Sequence, residues 1–189
     1  MENLHDIFQA SQKRIGIQKL PCEIFCAAPF GIRFRAGGDE LIYLGHHRRP
    51  NCIYIDNAAD RAMRIYKHLP AAPNILRIDQ CPDLMIPGLP PADQIIGTSS
   101  YWKLEKDVPF LGDLFREIVS AEIDPSGTDT LSSNVYFINT RKDLIFQLYD
   151  DRWADVAAAD KKLLYPLYDT CNDWIMDCER DKIDSIFKK

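Results

Sequence analysis

Residues 134–158 read NVYFINTRKDLIFQLYDDRWADVAA, and the fold follows from how that stretch is divided. It contains three β-rich runs: NVYFIN (134–139), DLIFQLYD (143–150) and WADVAA (153–158). Only Thr140-Arg141-Lys142 and Asp151-Arg152 separate them. Parallel neighbours need a crossover of roughly a dozen residues, whereas antiparallel neighbours need only a tight turn. The spacing therefore predicts a three-stranded antiparallel meander. Its apolar density predicts one face packed on helices.

Asp150 and Asp151 stand at the second turn. Two adjacent carboxylates suit a general acid–base pair or half of a cation site. They also suit a turn, where aspartates accept local amide hydrogen bonds and tolerate turn dihedrals. The turn is the preferred reading, with Arg152 pairing to Asp155 or to the following helix. No further oxygen ligands can be assigned to converge there, so no metal site is expected.

Downstream, Asp160 reads as an N-cap. Leu164, Leu167, Tyr168, Cys171, Trp174, Ile175 and Cys178 then recur at helical spacing. This predicts one long C-terminal helix, which Pro166 kinks or restarts. Cys171, Cys178 and Trp174 are expected in its core-facing stripe. Asn172 is expected to reach the backbone of the 150–153 turn. Asp169, Asp173, Asp177 and Asp181 are spaced four apart. On one helix they form an outward ladder opposite the stripe, at a repulsive cost of roughly 0.2–0.5 kcal/mol per pair. Such a face is either simply solvated or a docking surface for a basic protein.

Upstream, Phe110, Leu111, Leu114, Phe115, Ile118 and Val119 predict a helix over 110–122. A helix over 57–69 is expected, capped by Asp56 and ended by Pro70, followed by a strand at NILRID (74–79). GIRFRAGG (31–38) and DELIYLG (39–45) resemble a hairpin, and 3–14 a short amphipathic helix. Pro82, Pro87, Pro90 and Pro91 make the stretch around 80–94 a loop. The expected class is α+β: an antiparallel sheet against helices in one domain over 1–189. Sub-structures at 1–79 and 95–189 would be joined by that loop.

The chain has 189 residues, 23 basic and 28 acidic, for a net charge of −5. That disfavours sequence-independent nucleic-acid binding, which needs a basic face. No apolar run approaches the ~20 residues of a membrane span. MENLHDIFQASQKR lacks the marks of a signal peptide, so a cytoplasmic location is expected. The six cysteines are then expected as reduced thiols. Cys22 and Cys26 have no second pair at zinc-finger spacing. His46-His47-Arg48-Arg49 is the compact basic cluster and the candidate anion site. No glycine-rich loop opens a helix beside it, and no G-x-S-x-G elbow is present, so no cofactor is called for.

Tyr136-Phe137-Ile138-Asn139, Leu148-Tyr149-Asp150-Asp151-Arg152, Asp155, Ala159-Asp160-Lys161, Leu164, Pro166-Leu167-Tyr168, Asn172-Asp173-Trp174-Ile175 and Arg180 together form a pattern. It resembles the bacterial family known as domain of unknown function 3885. The strong likeness spans roughly residues 134–187. Trp153 stands where the family usually has glycine, and Cys171 and Cys178 stand where tyrosines are usual. The resemblance implies bacterial origin and an α+β fold, and it brings no activity or catalytic residues.

The leading expectation is a non-enzymatic protein-binding module. In concrete form it is an immunity-type protein that masks a basic toxin domain. Asp169, Asp173 and Asp177 are the contacts, with Asp150 and Asp151 as additions. The alternative is an enzyme or binding protein for a phosphorylated or nucleotide-like ligand. It would use His46, His47, Arg48 and Arg49 with the turn aspartates. Oligomeric state is not legible from the sequence.

Overall fold

A computed structural model describes residues 3–21, 23–37, 52–80, 98–105, 109–123 and 133–188. Its centre is one six-stranded sheet, antiparallel throughout. The strands are β1 (Gly31–Arg35), β2 (Ile75–Gln80), β3 (Ser99–Lys103), β4 (Ser133–Asn139), β5 (Leu144–Leu148) and β6 (Trp153–Ala158). They lie in the order β1-β6-β5-β4-β2-β3. The meander is β4-β5-β6, as the turn spacing predicts, but β5 is shorter than the 143–150 run: Asp143 belongs to the preceding turn, and Tyr149 and Asp150 lie beyond the strand. In the β4–β5 turn the Asn139 carboxamide oxygen accepts from the amides of Arg141 and Lys142. Asp143 closes the turn at φ 50°, a left-handed conformation that aspartate tolerates better than most residues. Its carboxylate is held by Arg14 and Ser11.

Strand alternation sends side chains to both faces, and both faces are covered. Ile32, Phe34, Leu76, Val135, Phe137, Leu144, Phe146, Leu148, Ala154 and Val156 form the larger core. They pack under α3 (Cys52–Lys67), α4 (Leu111–Ile123) and the C-terminal segment. The opposite positions, Ile75, Tyr136, Ile138, Ile145 and Ala157, pack with Phe8, Ile15, Ile17 and Ile24. Those come from α1 (Leu4–Ile15), α2 (Ile24–Ala27) and their connection. The class is α+β, as the sequence pattern indicates. No helix among the described residues is long and apolar enough to cross a membrane.

Several elements differ from expectation. DELIYLG lies outside the described residues, and the neighbour of β1 within them is β6, the last strand. β3 has no clear sequence signal, because SSYWK is short and opens on two serines. α3 begins at Cys52, so Asp56 is not its cap. Asp56 instead pairs with Arg116 on α4 at 2.9 Å. Phe110 precedes α4 and is exposed rather than part of its buried stripe.

The largest correction concerns the C-terminal segment. It holds a helix at its end, but it is not one long helix. A 3-10 turn at Lys161–Leu163 leads into α5 (Tyr165–Thr170). Further 3-10 turns at Asn172–Trp174 and Asp177–Glu179 precede α6 (Arg180–Phe187). Pro166 lies in the first turn of α5, where a missing N–H costs nothing, so it starts a helix rather than kinking one. Between the 3-10 turns, Ile175 is extended and bridges to Phe34, and the Met176 amide donates to the Arg33 carbonyl. The outer edge of β1 thus competes successfully for backbone groups that a continuous helix would use internally. An i, i+3 apolar spacing satisfies a 3-10 turn as well as an α-helix. This strap buries Cys171 and Ile175 but leaves Cys178 exposed, contrary to its reading as a core thiol.

Candidate functional site

Strand register places six side chains in one row on the α1–α2 face of the sheet. Arg33 lies opposite Asp155, Asp155 opposite Gln147, and Gln147 opposite Tyr136. Tyr136 lies opposite Arg77, and Arg77 opposite Tyr101. Arg33 is 2% exposed, while Asp155 and Gln147 are fully buried. The Arg33 guanidinium makes two parallel bonds of 2.8 Å to the Asp155 carboxylate and one of 2.9 Å to Glu23. It is also flanked by the rings of Phe25 and Trp153. Burial opposes its charge, but the bonds to Asp155 and Glu23 override this and push its pKa further up.

This row is directed at the protein's own backbone. The Ile24 amide donates to Gln147 Oε1 at 3.2 Å, and the Phe25 amide donates to Asp155 Oδ2 at 3.1 Å. The Tyr136 hydroxyl donates to the Pro21 carbonyl at 2.8 Å. The sheet therefore supplies the capping groups that the amino end of α2 lacks in its own sequence. The row fastens Pro21, Ile24 and Phe25 to the sheet and explains buried polar groups that sequence reasoning did not single out.

The 150–153 turn is equally self-contained. Asp150 Oδ1 accepts from the amides of Arg152 and Trp153 at 2.8 and 2.9 Å. Its Oδ2 accepts from the Arg152 guanidinium at 3.0 and 2.6 Å. Asp151 accepts from the Tyr54 hydroxyl at 2.9 Å, and burial raises its carboxyl pKa. A Cβ at Gly37 would collide with the Tyr54 hydroxyl and the Asp151 carbonyl, so glycine is required there for close approach. Asp150 and Asp151 are buried and occupied, which corrects their reading as docking contacts. Arg152 pairs with Asp150 at 2.6 Å and lies 3.9 Å from Asp151, whereas Asp155 is taken by Arg33. Asn172 does not support this turn either: its Oδ1 accepts from Arg180 at 3.1 Å, within the strap.

Asp169, Asp173, Asp177 and Asp181 are all exposed, but on four different elements of the strap. The repulsion of a single-helix ladder therefore does not apply to them. Among the described residues, neither Asp169 nor Asp173 has an ion pair or a side-chain hydrogen bond. Asp177 pairs with Arg35 at 3.3 Å, although its carboxylate stays largely in solvent. Of the bases beside these acids, Arg180 is turned toward the fold. Arg180 donates to Asn172 and to the carbonyls of Asn172 and Ile175, and Lys182 lies over the Phe25 ring at 4.1 Å. Asp169 and Asp173 thus stand in water unpaired, while Arg180 is engaged by the strap's own carbonyls; Lys182 is exposed with its ammonium against the Phe25 ring. His46, His47, Arg48 and Arg49 lie outside the described residues.

Sequence comparison covers this same region. Residues 87–179 match the family model described as a domain of unknown function (DUF3885). The match is just under half of the chain. It takes in β3, α4, the meander, α5 and the strap as far as Glu179. The resemblance carried by YFIN, LYDDR and NDWI therefore stands. A 42-residue stretch is 48% identical to "Uncharacterized protein YnaE" of Bacillus subtilis (strain 168). That stretch is 22% of this chain and 20% of YnaE, so the likeness spans about a fifth of each. No solved structure matches the chain.

Proposed function

We propose that the chain is a non-enzymatic protein-binding module whose docking surface is the strap over residues 165–181. The observation that carries this reading is uncompensated charge: among the described residues Asp169 and Asp173 lack counter-ions, while the neighbouring Arg180 is engaged by Asn172 and Ile175. Exposed carboxylates of this kind speed encounter with a basic surface and fix its register more than they add affinity. The strap is also pinned to the β1 edge, so its carboxylates need little ordering on binding. In its concrete form the module is an immunity-type protein occluding the cationic site of a basic toxin domain, such as a nuclease.

The test is capture of proteins from host lysate on the immobilised chain at about 50 mM and about 500 mM salt, a change that shortens the Debye length severalfold. A basic protein retained at low salt, released at high salt and lost to Asp169→Asn/Asp173→Asn/Asp177→Asn supports the reading. Capture that is indifferent to salt or to those substitutions overturns it. Nothing among the described residues favours the phosphorylated-ligand alternative, because Asp150 and Asp151 are already engaged by Arg152 and Tyr54.

A further inference from the structure

Among the described residues, β3 ends the sheet opposite the strap. The β1 edge is guarded by Ile175 and Met176. Proteins usually guard such edges with proline, a bulge, a charge or a covering segment. Ser99–Lys103 contains no proline, and its register with β2 runs unbroken over five pairs. Its one charge, Lys103, sits at the end of the strand. Trp102 is 46% exposed, and with Phe110 at 48% it is one of two large exposed apolar side chains among the described residues.

We infer that β3 is a self-association edge, through which two copies of this chain pair antiparallel about a two-fold axis at Tyr101. This register uses every residue of both strands, and any slip leaves some unpaired. It sets Tyr101 against Tyr101, Ser100 against Trp102 and Ser99 against Lys103. Each tryptophan then lies over a serine, so large meets small. On the other face, Lys103 of one copy comes beside Ser99, whose neighbour on β2 is Asp79. Asp79 is already held by Arg77 at 2.6 Å, so this face adds no new ion pair, but the register keeps the two Lys103 ammoniums apart. The symmetric contact closes at two copies and extends the sheet to twelve strands. It is independent of the proposed docking surface, which lies at the far edge of each sheet, roughly 24 Å away at normal strand spacing.

A single short strand pair is a small interface, so association is weak and concentration-dependent. Sedimentation equilibrium over about 1–200 µM tests it, a range set by the micromolar affinity of small interfaces. The expected result is a mass rising from 21.7 kDa toward twice that value. Ser100→Glu places a carboxylate against the electron-rich face of each Trp102 and should leave a monomer throughout, with an unchanged circular dichroism melt at low concentration. Trp102→Ala removes the anchor and should weaken association by about tenfold. A wild-type chain that stays monomeric over the whole range overturns the inference. So does a dimer that survives both substitutions unaltered.

Discussion

Asp150 is 1% exposed and satisfies two backbone amides and both nitrogens that Arg152 presents to it. Arg152 is more than half exposed, so the ion pair itself adds little. The amides carry the loss when the carboxylate is removed. Asp150→Ala should destabilise the protein by about 2–4 kcal/mol, since buried donors are left without acceptors. Asp150→Asn keeps one acceptor oxygen and should cost roughly half as much. Urea denaturation of the three proteins checks both values. Asp143 gives a pH-dependent counterpart. Burial alone would raise its pKa, but the bonds from Arg14 and Ser11 override this and hold it below its ordinary value. The unfolded chain therefore binds the proton more readily than the folded one. The stabilisation is complete above an unfolded pKa of about 3.9 and is lost as pH falls through the folded value. Asp143→Asn, which keeps tolerance of a positive φ, should show a shallower loss of stability than wild type between about pH 5 and 3. Equal slopes would contradict this assignment. The turn role of Asp150 is legible in LYDDRW because donor and acceptor are neighbours. The role of Asp143 is not, because Arg14 lies 129 residues away.

Four residues make α2, far too few to form a helix unaided. Its amino end is held by Gln147 and Asp155 from the sheet. Gln147→Ala should loosen α2 without unfolding the sheet. Hydrogen exchange at the Ile24 amide should accelerate by about 5–100-fold, the equivalent of one lost buried hydrogen bond. Unchanged exchange there would mean that packing of Phe25, not the polar row, fixes α2. Legibility at this scale tracks local information. The meander and α4 can be read because turn spacing and apolar periodicity are written within each segment. The row is not readable, because Arg33 in GIRFR and Gln147 in LIFQL look like ordinary solvent-facing strand positions. They are buried only because α1 and α2 return to cover that face. The strap misleads for a related reason: its apolar spacing fits an α-helix, and only the unfilled edge of β1 makes an extended break at Ile175 preferable.

Across the whole molecule, the stretches before and after the proline-rich segment, whose expected loop lies outside the described residues from 81 onward, interleave in one sheet. β2 lies between β3 and β4, and β1 is hydrogen-bonded to β6. Both strands of 1–79 pair only with strands of 95–189, and on separation the second stretch would keep β4-β5-β6 but lose its pairs with β1 and β2. We therefore expect one cooperative unfolding unit, not two sub-structures melting in turn. Trp102, Trp153 and Trp174 all report on the second stretch, whereas Phe8 packs on the far face through α1. In urea, tryptophan fluorescence and far-ultraviolet circular dichroism should give coincident transitions. Phe8→Ala should shift both together, by about 3–5 kcal/mol for a fully buried phenylalanine. A Phe8→Ala protein that loses circular dichroism signal at low urea while its tryptophan transition stays in place would show two separable units. The strap could then act without the amino-terminal layer. Coincident transitions would tie the rigidity of the acidic surface to packing on the opposite side of the sheet, because the α1–α2 face and the β1 edge that anchors the strap share the same strands.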